Sequence, residues 1–190
     1  MIRIGVIGCG YWGPNLIRNF SHLKGSDVLM CSDLSEERLA HMRTIYPKIE
    51  TTTDYRKVLD RKDVDAVVVA TPPETHFKLA TEALRAGKHV FVEKPLALST
   101  ADGTAMVHEA EKAKRVLLVG HTFLVHLANP RTNLERAMPA HVFQRRHAGG
   151  RRLLVPSTIA VDDGRELVVE RWLRILPGKR LTGIGSWNGQ

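Results

Sequence analysis

The chain has 190 residues, 43% hydrophobic and 25% charged, with 28 Lys+Arg against 20 Asp+Glu and a formal net charge of +8. That leaves room for one comfortable domain and a small appendage, with the composition of an ordinary globular protein. No apolar run approaches the ~18 residues of a membrane span and the apolar start lacks a leader's cleavage pattern, so the expectation is a cytoplasmic protein without membrane contact.

Ile2, Ile4, Val6 and Ile7 predict a short strand, followed by Gly8, Gly10 and Gly13 in G-x-G-x-x-G spacing. Leu16, Ile17, Phe20 and Leu23 then recur at helical spacing until Gly25 supplies a stop. Each glycine has a mechanical reason in a dinucleotide-binding turn. Gly8 permits the tight turn, Gly10 lets the backbone approach a pyrophosphate, and Gly13 lets the helix pack close to the strand. The helix N-terminus then offers unpaired N–H groups and a positive dipole end to the anion. A second apolar run, Val28–Cys31, ends just before Asp33, twenty residues past Gly13, where an adenosine ribose acceptor belongs. The competing reading is an ordinary glycine turn followed by a helix-flanking aspartate.

The alternation of strands and helices continues. Ser35 reads as an N-cap with Glu36 and Glu37 in the first turn, of a helix running to about Tyr46 before Pro47. A link to Thr53 and Asp54 leads into a small helix through Leu59. Ala66–Ala70 is a continuous apolar run, the mark of a strand covered on both faces. Pro72 and Pro73 open a helix with Phe77, Ala80 and Leu84 on one face, closed by Gly87. His89–Val92 is the next strand. Ser99 and Asp102 make a capping-box-like start to a helix ending near Lys114, and Val116–Val119 is the last clear strand. The fold class predicted is α/β, a Rossmann-type doubly wound parallel sheet over residues 1–124, with ligand at the carboxyl ends of its strands. Cys9 and Cys31 read as free thiols.

From about Val125 the pattern fails. Residues 127–190 carry 11 Lys+Arg against 5 Asp+Glu, ten of the eleven being Arg, whereas residues 1–126 carry 17 against 15. The expectation for 125–190 is an irregular Arg-rich tail, poorly ordered or the remnant of a frame-shifted reading.

Three further segments fall at strand ends: Thr71-Pro72-Pro73-Glu74-Thr75-His76, Glu93-Lys94-Pro95 and Gly120-His121-Thr122-Phe123. With the Gly8–Asn15 loop, they make residues 1–124 resemble the glucose-fructose oxidoreductase/inositol dehydrogenase (Gfo/Idh/MocA) family of nicotinamide-dependent sugar oxidoreductases. The Tyr11–Asn15 loop and the Gly120–Phe123 run look like members acting on nucleotide-linked amino sugars. The resemblance implies that Gly8, Gly10 and Gly13 hold the pyrophosphate, with Tyr11 and Trp12 lending loop backbone and cover. It places Asp33 on the adenosine ribose, favouring NAD over NADP, with Arg38 near enough to leave that preference open. Thr71, Pro72 and His76 would line the nicotinamide side, although His76 could equally cap its own helix. Glu93 would bind the nicotinamide ribose. Lys94 would lie beside the nicotinamide as a cofactor-binding residue, and would also face the substrate hydroxyl and stabilise a developing alkoxide, against the alternative of a solvated lysine beside a turn proline. Family members often have a cis peptide at the proline matching Pro95. His121 could face the substrate or serve structure alone.

The family normally continues into a second α/β domain carrying an acid/base histidine in an Asp-x-x-x-His arrangement. His141 and His147 lack an aspartate four residues before them. The expectation is therefore the cofactor domain of a dehydrogenase for a sugar or nucleotide sugar, truncated and of doubtful turnover. Homo-oligomerisation is left open. The rival is a non-catalytic NAD-binding module whose basic tail docks an acidic partner. Nucleic acid is disfavoured, because the tail has few aromatics for stacking and no nucleic-acid motif.

Overall fold

In the computed structural model, the described residues are 1–120 together with 147–148, 151–152 and 176. Residues 1–120 form a six-stranded parallel sheet in the order β3-β2-β1-β4-β5-β6. The strands are β1 (Ile2–Ile7), β2 (Ser26–Ser32), β3 (Glu50–Thr52), β4 (Ala66–Val69), β5 (His89–Glu93) and β6 (Leu117–Gly120). Five helices alternate with them: α1 (Gly13–His22), α2 (Glu36–Ile45), α3 (Arg56–Asp60), α4 (His76–Arg85) and α5 (Thr100–Ala113). The chain walks outward from β1 to β3 and then crosses to β4 on the other side of β1. That reversal opens a crevice at the carboxyl ends of β1 and β4, where doubly wound sheets bind ligands. His147–Ala148 and Arg151–Arg152 form a two-residue antiparallel ladder of their own. The tail residues other than 147, 148, 151, 152 and 176, and His121, Thr122 and Phe123, lie outside the described residues.

β4 and β5 are buried along their whole length, as strands with helices on both faces must be. Under α1, the fully buried Phe20 meets Phe91 of β5 edge to face, with ring centroids 6.2 Å apart. The glycines are fixed by crowding. Gly8 has φ +99°, and a Cβ there would come within 2.6 Å of the Ala70 carbonyl oxygen. A Cβ on Gly13 would lie 2.0 Å from the Gly8 carbonyl oxygen, so α1 can start this close to β1 only with hydrogen at that position. Gly5 has the same role inside β1, where a Cβ would collide with Val58 of α3 at 2.3 Å.

The Ser35 hydroxyl accepts from the Arg38 amide and the Ser99 hydroxyl from the Asp102 amide, the caps expected for α2 and α5. Two features differ from the sequence reading. The link before Thr53 contains β3, whose three residues pair with Met30–Ser32. Three residues are too few to show a period of two, and Glu-Thr-Thr has no apolar signal. Phe77, expected on the buried face of α4, is 37% exposed. The helix instead buries His76, Leu79, Ala80, Ala83 and Leu84, because the His76 ring is drawn inward by partners outside the helix.

Gly13→Ala is therefore expected to lower stability by about 1–3 kcal/mol, the usual cost of overpacking. Urea unfolding of the full chain measures it; an unchanged midpoint would show that α1 is not held at this distance by the glycine.

Candidate dinucleotide site at the carboxyl ends of the strands

The loop from β1 is pinned to β2 by two bonds. The Gly8 amide donates to the Ser32 carbonyl at 2.7 Å, and the Cys9 amide donates to Asp33 Oδ2 at 2.7 Å. Asp33 Oδ1 accepts from the Ser35 amide at 2.8 Å and lies 3.5 Å from the Arg38 guanidinium. The Asp33 side chain is 7% exposed, so its position is set by the backbone of both neighbouring loops. Each oxygen keeps acceptor capacity beyond these amides. Arg38, more than half exposed, also bounds the space beside Gly10, where an added Cβ would find only its guanidinium at 3.7 Å. Gly10 thus presents bare backbone to an open cradle.

α1 differs from α2 and α5 in lacking a side-chain cap. Its N-cap residue is Trp12, no acidic residue occupies the first turn, and Pro14 removes one donor. The remaining orphan N–H groups and the positive dipole end are what a pyrophosphate engages. Tyr11 is 83% exposed and meets Trp12 edge to face at 5.3 Å, and the Asn15 side-chain Nδ2 donates to the Tyr11 carbonyl. An open cradle at Gly10, an uncapped helix start and a fixed carboxylate together fit a dinucleotide.

The second wall comes from β4 and β5. After β4, the Thr71 and Thr75 hydroxyls are 2.6 Å apart and Thr75 donates onward to the Pro72 carbonyl, so Thr71 donates to Thr75. Pro72 is exposed, and a single 3-10 turn, Pro73–Thr75, leads into α4. His76 has no exposed surface; its Nδ1 lies 2.8 Å from the Pro95 carbonyl oxygen and its Nε2 2.8 Å from that of Thr71. Both acceptors lie outside its helix. After β5 come the buried Glu93, the exposed Lys94 and a cis Lys94–Pro95 peptide bond. Glu93 is 4% exposed. Its Oε2 accepts from the Lys94 amide, and its Oε1 has no hydrogen-bond partner among the described residues. Burial raises the Glu93 carboxyl above the usual range, outweighing the Lys94 amide and the charges of Lys94 and His76. A Cβ at Gly120 would come within 2.8 Å of the Phe91 ring and 3.1 Å of Glu93 Oε1, so β6 can end beside this carboxyl only as glycine.

Every candidate residue from Gly8 to Lys94 is thus carried by the ends of β1, β2, β4 and β5. Some features escaped sequence reasoning. Cys9 and Cys31 are both buried free thiols, and their mutual hydrogen bond and burial push the Cys9 thiol up. Their separation of 22 residues gives no signal of that contact. Lys88 is also buried, donating to the Arg61 and Val64 carbonyls at 2.7 and 2.9 Å. It precedes β5, at the amino edge of the sheet, and so braces the fold away from the crevice. Among the described residues no cluster of His, Cys, Asp or Glu could hold a metal, and no helix is long and apolar enough to cross a membrane.

The raised Glu93 carboxyl gives stability a defined pH dependence. Its protonated form favours the fold fully below the unfolded value of about 4.3, and that contribution is lost as pH rises through the raised folded value. Glu93→Gln is expected to gain stability relative to wild type as pH increases from about 4 towards neutrality. Urea unfolding of both proteins across that range measures the difference, and a gap that does not change with pH would contradict the assignment.

Residues 2–121 match the family model described as an oxidoreductase family with an NAD-binding Rossmann fold. Myo-inositol 2-dehydrogenase from Thermotoga maritima is 35% identical over 119 residues, covering 63% of this chain and 36% of that protein. The dehydrogenase WlbA from Bordetella pertussis, solved with NADH and UDP-GlcNAcA, superposes with a TM-score of 0.61 at 30% identity, covering 64% of this chain and 35% of that one. Biliverdin reductase from Synechocystis sp. PCC 6803, solved with biliverdin and NADP+, gives 0.63 at 28% identity, covering 65% and 39%. The chain spans little more than a third of the length of these relatives. The glycine loop, the fixed Asp33 and the matching family model lead to one conclusion: this chain belongs to the Gfo/Idh/MocA oxidoreductase family through its NAD(P)-binding Rossmann domain.

Proposed function

We propose that this chain supplies the cofactor-binding part of a dehydrogenase acting on a secondary hydroxyl of a sugar or nucleotide sugar, with NAD preferred over NADP. The observation that carries the reading is the coupling of an uncapped α1 to an Asp33 carboxylate fixed between the Cys9 and Ser35 amides. A carboxylate there accepts from ribose hydroxyls and repels a 2′-phosphate. Arg38 works against that preference, because its guanidinium lies 3.5 Å from Asp33 and would attract the same phosphate. The buried, doubly anchored Asp33 side chain beside an exposed Arg38 supports the carboxylate as the group that sets the sign.

Bound NAD(P) would accept a hydride from the substrate carbon. The chain's own residues would do the rest. The Gly8–Gly13 backbone and the start of α1 hold the pyrophosphate, with Tyr11 and Trp12 covering it. Thr71, Pro72 and Glu93 bound the nicotinamide end. Lys94, exposed after β5, would orient the hydroxyl and stabilise negative charge developing on its oxygen as hydride leaves the carbon for the nicotinamide. Similarity to myo-inositol 2-dehydrogenase and to a dehydrogenase solved with NADH and UDP-GlcNAcA supports the sugar class, as does the Tyr11–Asn15 loop.

Fluorescence titration of the full chain is expected to show tighter binding of NADH than of NADPH. Asp33→Ala is expected to weaken NADH binding by about tenfold or more, the scale of a lost hydrogen bond to a charged group, and to narrow or reverse the preference. Lys94→Ala should leave NADH affinity within about twofold, since this exposed side chain serves the substrate rather than the pyrophosphate. Equal affinity of the wild type for both cofactors would remove the specificity role from Asp33.

A further inference from the structure

His76 is fully buried, and each of its ring nitrogens lies 2.8 Å from a backbone carbonyl oxygen, Thr71 at the end of β4 and Pro95 after β5. A carbonyl oxygen only accepts. A neutral imidazole has one N–H donor and one lone pair, so it can satisfy one of these carbonyls while turning a lone pair on the other. Only the imidazolium, with two N–H groups, satisfies both. Burial sharpens the difference, because water cannot repair the mismatched side.

The charge has a counterpart. Of the groups near this ring, Glu93 on β5 is the buried carboxyl whose ionisation the His76 charge favours, against the burial that disfavours it, and Lys94 is the adjoining cation. Glu93 Oε2 receives the Lys94 amide and Oε1 has no partner among the described residues, so a nearby positive charge compensates what hydrogen bonds leave unmet.

We propose that His76 is a positioning residue that works as an imidazolium clamp, tying the Thr71 carbonyl to the Pro95 carbonyl and thereby fixing the two strand-end loops that carry the nicotinamide-side wall and Lys94. This rests on the cofactor reading above but gives His76 another role, holding the wall instead of touching the ligand. His89 supplies a contrast within the same molecule, since its Nδ1 accepts from the Val116 amide at 3.0 Å and so must carry a lone pair.

Long-range nitrogen–proton NMR of the ¹⁵N-labelled full chain near neutral pH tests the clamp directly. The expected spectrum contains a histidine with both nitrogens protonated and slowly exchanging, which is lost in His76→Gln, while His89 shows one protonated and one bare nitrogen. A His76 ring with one bare nitrogen at neutral pH would overturn the proposal. His76→Gln keeps a donor at one end only, and is expected to weaken NADH binding by about ten- to a hundredfold, the scale of a charge-assisted hydrogen bond. Should that variant fail to fold, His76→Asn replaces it, with a similar weakening expected. NADH affinity equal to wild type in either folded variant would overturn the positioning role. If the wild type binds no NADH at all, the cofactor reading fails, and the ring spectrum still decides the state of His76.

Discussion

The hydrogen bond from the Cys9 amide to the Asp33 carboxylate holds the site together. It fixes the glycine loop against the end of β2, and the second oxygen of the same carboxylate anchors the start of α2 through the Ser35 amide. One buried group thereby sets the positions of two helix entrances. The steric limits at Gly8 and Gly13 then determine how close α1 can begin. With α1 brought this near and left without a side-chain cap, its first-turn amides stay available to a ligand in the crevice.

The opposite wall is built on a different rule. Its residues come from loops after β4 and β5, and side-chain contacts to backbone carbonyls join them: Thr75 to Pro72, and His76 to both Thr71 and Pro95. Loops braced in this way keep a surface rigid without making it apolar, as a candidate site for a polar ligand requires. Glu93 shows the cost. Its carboxyl is buried with one oxygen lacking a partner among the described residues, and it titrates above the ordinary range because burial outweighs the charges nearby.

Sequence made much of this legible. The glycine spacing announced β1, the turn and α1, because three close approaches each exclude a side chain. Ser35 and Ser99 announced two helix starts, since a hydroxyl before an acidic turn has few other uses. The continuous apolar run of β4 told of a strand covered on both sides. What escaped notice depends on partners distant along the chain. β3 is held by pairing with β2 rather than by any pattern of its own. The rotation of α4 that exposes Phe77 follows from carbonyls 5 and 19 residues away from His76. The Cys9–Cys31 contact and the orphaned Glu93 oxygen likewise arise from sheet packing, to which local periodicity is blind.

The central claim is that the glycine loop and the start of α1 are a preformed anion cradle held by Asp33. Amide hydrogen exchange of the full chain with and without NADH tests it most directly. The account predicts slowed exchange at the amides of residues 10–16 on adding NADH, with a smaller effect at Ser35, and little change across α5. Protection confined to other parts of the chain, with residues 10–16 unchanged while NADH is bound, would contradict it.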